Sequence, residues 1–336
     1  MLQGLGCSRT HLGRKTWQRA LAPLLVFPAL MAAAGFPQQA VSPKAQLPTL
    51  TSAAQVRKLT QEQASLGYPV RLRAVVTFYD SNGIEVADLF VQDSTAGIWV
   101  DTPGMKLSLE AGHLIEVDGF TSFADFAPQV IRPSIRVLGR VPLPPPKRVS
   151  FERLASTSED SQWVEIEGIV RHAEVQDRYL VLDLAAGGGR IKAFIIASRP
   201  VKPERLVDAR VRVRGACGAI FNQKNKMVGV RLLVPSLAQL RVDETPPQHP
   251  FAIPVRSISS LLRFTPQGTP GHRVRVQGVV ILQSRDRSLF VTDETDSVSV
   301  KAHQGERFQP GDRVDILGFP SFGEFSPSLA DAVVRK

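Results

Sequence analysis

Cysteine is nearly missing from this chain of 336 residues, which holds only Cys7 and Cys217. Cys7 lies in an N-terminal leader, so Cys217 stands alone and no internal disulfide is expected. A nucleophilic cysteine needs a base and an electropositive, partly open setting. Only His172 shares its stretch of chain and nothing links the two, so Cys217 reads as a buried small residue. Histidine is equally sparse. His11 belongs to the leader, and His113, His172, His249, His272 and His303 are scattered, with no second His or Cys at metal-ligand spacing. No Gly-x-Ser-x-Gly elbow occurs. Gly187-Gly188-Gly189 is followed by no Lys-Ser/Thr, so it reads as a hairpin turn and not a phosphate loop. These absences exclude the common catalytic sets. The chain is expected to be non-enzymatic, with no catalytic residues, no metal and no cofactor.

Long apolar runs are missing too. Past the leader no stretch approaches the roughly 20 apolar residues that span a bilayer. The leader itself has Arg9, Arg14, Lys15 and Arg19 and no acid before residue 35, then an apolar run over 20–31 and Ala32-Ala33-Ala34. That is the layout of a Sec-type signal peptide. The alternative is a membrane anchor, but the run is short and contains Pro23 and Pro28. No Cys follows it, so lipid attachment is not expected. Residues 1–35 are therefore expected to be cleaved, leaving a periplasmic or secreted protein.

What the chain does have is repetition. Residues 119–128, Gly-Phe-Thr-Ser-Phe-Ala-Asp-Phe-Ala-Pro, return at 318–327 as Gly-Phe-Pro-Ser-Phe-Gly-Glu-Phe-Ser-Pro. Leu89-Phe90-Val91-Gln92-Asp93 returns as Leu289-Phe290-Val291-Thr292-Asp293. Two coincident motifs at nearly one offset indicate a duplicated unit. A divergent third copy lies between them. Each unit opens with an alternating strand (70–76, 164–170, 274–280), whose period of two puts apolar residues on one face and charges on the other. Four more strands follow in each. The second strands cover 89–93, 179–184 and 289–293, and the third 97–101, 190–197 and 297–302. The fourth cover 113–119, 210–215 and 313–318, and the last 129–138, 226–234 and 329–334.

Five short strands with a bent first strand fit an all-β architecture of three tandem five-stranded OB-like Greek-key barrels. A two-sheet sandwich is the alternative, but it commonly uses seven or so strands. A short helix is expected before each barrel, at 51–59, 150–154 and 255–262. Proline tracts at 142–146 and at Pro246-Pro247 suggest stiff spacers. The expected organisation is 47–145, 146–245 and 250–336, three beads on semi-rigid joints.

The doubled Gly-Phe segment joins the fourth and fifth strands. Its phenylalanines either form an aromatic platform for a ligand or plug the open barrel end. The plug is favoured, because exposing three phenylalanines forgoes roughly 1.5–3 kcal/mol each. Asp125 and Glu324 would then cap loop amides. Asp93 and Asp293 sit where turn chemistry wants Asp.

OB barrels bind on strands two and three. Phe90, Trp99 and Phe290 are therefore the aromatic candidates for ligand contact, although all three could be core. Unit two lacks the Gly-Phe segment and carries 14 Lys and Arg against seven Asp and Glu over 164–242. A basic OB barrel is the footprint of nucleic-acid binding. The candidates for that alternative are Arg171, Arg178, Tyr179, Arg190 and Lys192, with Phe194, Phe221, Lys224 and Lys226. Against it, Arg210, Arg212 and Arg214 simply fill the polar face of a strand.

The run Leu89-Phe90-Val91-Gln92-Asp93-Ser94-Thr95-Ala96-Gly97-Ile98-Trp99-Val100, followed by Gly112-His113-Leu114-Ile115-Glu116-Val117-Asp118-Gly119, resembles bacterial exported OB-like modules. Their pattern is roughly Phe-x-Gln-Asp-x-Thr-x-Gly, then Gly-Asp-x-Val-x-Val-x-Gly. Unit three matches with Leu289 to Asp293 and Gly311 to Gly318. Unit one departs at His113, and unit two keeps only the strand pattern. The resemblance implies tandem modules ahead of a membrane segment and a sensor histidine kinase or diguanylate cyclase; other such modules accompany secreted nucleases. This chain shows neither a kinase ATP motif nor a phospho-acceptor His motif. The expectation is an extracytoplasmic binding or sensory module for an unknown ligand or protein partner, free-standing or the input region of a receptor. A single-stranded nucleic-acid binder is the alternative.

Overall fold

The computed structural model describes residues 47–81, 88–124, 127–221, 227–262, 271–285, 288–302, 307–322 and 327–336. The leader, Asp125, Phe126, Lys224, Lys226, His303 and Glu324 lie outside them, as do residues 323–326 of the second copy of the Gly-Phe segment. The described residues from Leu47 to Lys336 form one compact unit.

Three sheets follow one another along the chain. The first barrel has β1 (Pro69–Asp80), β2 (Asp88–Gln92), β3 (Gly97–Asp101), β4 (His113–Ala124) and β5 (Ala127–Arg140). It closes in the order β1-β2-β3-β5-β4, the OB Greek key, and closure leaves no open edge. On β1, Val70, Leu72, Ala74 and Val76 point into the core while Arg71 and Arg73 face out. Arg71 stands opposite Asp118 of β4 and pairs with it at 2.6 Å.

The second sheet contains β6 (Lys147–Arg148), β7 (Trp163–Gln176), β8 (Tyr179–Ala186), β9 (Gly189–Ile196), β10 (Arg210–Phe221), β11 (Met227–Val234) and β12 (Leu240–Glu244). It is the same barrel, because β10 pairs with both β7 and β11. Its last strand is broken by a 3-10 turn at Leu237–Gln239, so β11 and β12 share the work of β5. The expected first and fourth strands thus become longer, and a further piece, β12, is gained where the chain bends.

The third barrel has β13 (Val274–Gln283), β14 (Ser288–Thr292), β15 (Ser297–Ala302), β16 (Arg313–Phe322) and β17 (Pro327–Arg335), closing as the first does. Each barrel has its own apolar core.

The helices come where expected, with differences. α1 (Ala53–Arg57) starts in a capping box of Ser52 and Gln55. An unforeseen α2 (Gln61–Ala64) repeats that device with Thr60 and Gln63. α3 (Phe151–Ala155) is capped by Ser150. Before the third barrel, Ile258–Leu262 forms a 3-10 turn instead of an α-helix. In each unit the segment ahead of the helix also bridges the first strand in parallel, through Leu50 and Val70, Lys147 and Val164, and Val255 and Arg275.

The Asp-x-Thr motif fastens helix to barrel. Ala53 N donates to Asp93 Oδ2 (2.7 Å) and Ala54 N to Thr95 Oγ1 (3.0 Å), while Asp93 Oδ1 takes the Thr95 and Ala96 amides. Asp293 does the same for Ile258, Thr295 and Asp296, and Thr295 Oγ1 accepts from Ser259 N. Burial works to raise the Asp293 carboxyl, but these donors outweigh it and hold it below its ordinary value. In the second barrel the roles invert. Glu152 of α3 accepts from Gly188 N (3.1 Å) in the β8–β9 hairpin, the turn expected from the triple glycine.

Candidate ligand face and the barrel junctions

Strand pairing puts the three barrels in one residue frame. Each first strand has a bulge, at Thr77, Arg171 and Ile281. Just beyond it, Phe78 pairs with Phe90, His172 with Asp183, and Leu282 with Phe290. The third strand adds Trp99, Lys192 and Ser299 opposite these. This is the OB ligand face, called here the front. On the opposite wall, Gly119, Gly215 and Gly318 pair with the first strands. The residues after them define the back: Phe120 paired with Ile131, Ala216 with Leu233, and Phe319 with Ala330.

The front of the first barrel is covered by the back of the second. Phe78, Phe90, Ala216 and Leu233 make one buried cluster, with Trp99, Phe194 and Ile196 packed against it. Phe78 and Phe90 meet edge to face at 6.5 Å, a favoured aromatic geometry. Trp99 Nε1 is buried there without a partner among the described residues. Polar contacts lock the rim. Trp163 N donates to Gln92 Oε1 (2.8 Å), and the Gln162 side chain bonds both the Gly97 N–H and its carbonyl. A Cβ at Gly97 would stand 2.0 Å from Ser161 O, so the glycine of Asp-x-Thr-x-Gly serves this close approach. The buried Asp80 receives Tyr179 Oη and the Arg178 guanidinium.

The front of the second barrel meets the back of the third in the same sense but with polar chemistry. The Arg171 guanidinium lies 4.1 Å from the centre of the Phe319 ring, and Arg273 lies 5.1 Å from it. Burial, then repulsion from Arg190, holds the Arg171 guanidinium below its usual value despite nearby carboxylates. Arg190 joins Asp183 (3.0 Å) to Asp331 (3.1 Å). Asp208 takes the Arg273 amide (3.0 Å) and the His272 ring (3.1 Å) on one carboxylate oxygen. Asp208 occupies the turn held by Gly112 and Gly311, at φ +77° where they have +91° and +95°. An aspartate tolerates that left-handed backbone better than most residues, and here its carboxylate ties two barrels together.

The candidate residues are thereby placed. Phe90 is buried in the first junction and Trp99 half-buried beside it, whereas Phe290 is 40% exposed on the open front of the third barrel. Arg171 and Arg190 belong to the second junction, and Arg178, Tyr179 and Phe194 to the first. Lys192 is exposed on β9. The side chain of Phe221, with Lys224 and Lys226, falls outside the described residues. Arg210, Arg212 and Arg214 are paired with Glu244, Asp243 and Glu165. Cys217 is buried, and burial, with Asp160 and Glu159 adding to it, pushes its thiol far above the ordinary range.

Two expectations change. The joints are packed interfaces, not spacers, because an apolar cluster and buried ions cross them. The plug also fails for the first phenylalanine of each Gly-Phe segment. Phe120 is 40% exposed under Arg132, and Phe319 is buried in a junction, outside the barrel core. Residues 119–124 and 318–322 extend the fourth strands beyond their expected ends.

Among the described residues, no group of three or more His, Cys, Asp or Glu could hold a metal. No described helix is long and apolar enough to cross a membrane. An open groove on the third barrel, lined by Arg275, Arg313, Thr292 and Lys336, also holds Asp315, which pairs with Arg275 (2.8 Å) and Arg335 (2.7 Å).

No protein-family model matches the chain, and no curated protein matches it. Solved structures resemble it at a distance. An aspartyl-tRNA synthetase from Entamoeba histolytica is 18% identical over 34% of this chain and 24% of its own length, with a TM-score of 0.25. The chain thus spans about a quarter of that synthetase. A murine DNA-binding protein bound to double-stranded DNA is 10% identical over 52% of this chain and 98% of its own, with a TM-score of 0.28. The p204 HINb domain is 10% identical over 50% and 94%, with a TM-score of 0.23. The fold therefore rests on strand order, which is the OB order in all three barrels.

Proposed function

We propose that this chain is a non-catalytic, extracytoplasmic binding module whose working surface is the front of its third barrel. The observation that carries this is Phe290. It occupies the position of Phe90, yet is 40% exposed where Phe90 is 6%. Leu282, the partner of Phe290 and the counterpart of Phe78, is 51% exposed. OB proteins use this face for ligands, and the other two copies of it are occupied by neighbouring barrels. Apolar, contiguous exposure suits a protein surface better than a phosphate backbone. Export rests on the basic and apolar leader, and a role as a sensory input region rests on the resemblance in the Gln-Asp-x-Thr-x-Gly run. The nucleic-acid alternative draws less support, since Arg171, Arg178, Tyr179, Arg190 and Phe194 are committed to the junctions.

A photo-crosslinking amino acid at position 290, with position 90 as control, tests this in cells fractionated by compartment. A discrete protein adduct at 290 in the extracytoplasmic fraction, with none at 90, is expected. No adduct at 290, or a cytoplasmic protein, overturns the reading.

A further inference from the structure

Among the described residues, the front of the third barrel and the back of the first are both left uncovered. We infer that the front of the third barrel docks on the back of the first barrel of a second copy, making a head-to-tail assembly. This rests on the third front being the binding surface, and names its occupant.

Both internal junctions follow one rule, front of one barrel on back of the next. At the open ends the same positions are complementary. The front offers Ile281 at the bulge, 49% exposed, with Leu282 and Phe290. Ile281 is the counterpart of Arg171, which covers Phe319. The open back offers Phe120, the counterpart of Phe319, 40% exposed. Phe290 and Leu282 would thus meet Phe120 as Phe90 and Phe78 meet Ala216 and Leu233.

Charge agrees, with its sign exchanged. In the second junction Arg190, on the front, pairs with Asp331, on the back. Asp331 follows Ala330, and Arg132 follows Ile131 at the same place in the first barrel; both have φ +50°. The front position of Arg190 is Ser297 in the third barrel, next to the exposed Asp296. A base on the open back therefore stands where an acid stood, and an acid on the open front lies one residue from where the base stood. Such juxtaposition fixes register and partner choice. The short α2 beside β4 leaves Phe120 accessible. Front and back are different patches, so the contact is heterologous and does not close on itself as a two-fold dimer does.

Sedimentation velocity on the intact protein across a hundredfold concentration range tests this. Species growing beyond dimer are expected. Phe290→Asp and Phe120→Asp each should give monomers, and mixing the two variants should give a dimer and nothing larger, since each retains one good end. Arg132→Asp should weaken assembly about tenfold or more, and Arg132→Asp with Asp296→Arg should restore it. Circular dichroism on each variant checks folding, and both phenylalanines are surface positions. A wild-type monomer at all concentrations overturns the inference. So does a dimer lost with Phe290→Asp but kept with Phe120→Asp, which would mean fronts pairing with fronts. A crosslink from position 290 to a different protein, with a monomeric chain, leaves the binding-module reading standing and removes only the second copy.

Discussion

The first and third barrels carry nearly the same signature, yet their matching phenylalanines live in different surroundings. Phe90 is sealed under the second barrel and Phe290 faces solvent; Phe319 is sealed under Arg171 and Phe120 faces solvent. The difference comes from position in the row. A front is buried when a barrel follows, and a back is buried when one precedes. Among the described residues, the face of strands two and three is thus used twice as internal structure and left open once. The divergent middle barrel is the one with both faces occupied. Its departures, Arg171, Asp183 and Asp208, are junction residues.

Stability measurements can break this comparison most sharply at the two phenylalanines. Phe90→Ala should cost about 3–5 kcal/mol, the range for an aromatic lost from a packed core. Phe290→Ala should stay within about 0.5 kcal/mol. Urea unfolding of both variants checks this; equal costs would mean that Phe290 is buried too.

Gly97 offers the next largest effect. Gly97→Ala should force the second barrel off the first and cost about 1–3 kcal/mol, as overpacking does. Ser297→Ala, at the matching and exposed position, should be silent. Limited proteolysis between residues 140 and 150 should speed up only in the Gly97 variant.

Asp293→Asn removes a carboxylate that takes three backbone amides, and should cost about 1–3 kcal/mol. Because the Asp293 carboxyl is held below its ordinary value, its contribution is present above the unfolded value of about 3.9. It is lost as pH falls through the lowered folded one. The stability advantage of wild type over the Asn variant should therefore be full near neutral pH and narrow as pH falls below about 3.9. A parallel pH profile in the two proteins would count against the motif's role.

The smallest effect is expected with nucleic acid. Labelled single-stranded DNA should show no saturable binding at low salt. A steep salt dependence, reduced by Lys192→Ala, would restore the middle barrel as a binding surface.

Local patterns reveal much of this architecture. The alternation of Val70-Arg71-Leu72-Arg73 can satisfy one buried and one solvated face only as a strand. The repeat offset shows duplication without a structure. The hairpin at Gly187 to Gly189 and the buried Cys217 are legible for the same local reasons. Less legible is what Asp93 does beyond its turn. Its second oxygen takes the amide of Ala53, forty residues earlier, and only closure of the barrel brings the two together.

The candidate site shows where such reading stops. Phe90, Trp99 and Phe290 are all named by their place on strands two and three, and no sequence signal separates the two that are covered from the one that is open. Arg178 and Tyr179 look like a cationic, aromatic surface until Asp80, nearly a hundred residues away, comes to meet them. The sequence by itself determines strand, turn and repeat, because those depend on neighbours a few residues apart and on the period of the apolar pattern. Only the tertiary structure decides which face of each barrel is used up, because burial at a junction depends on the surface of another unit, to which local periodicity carries no reference.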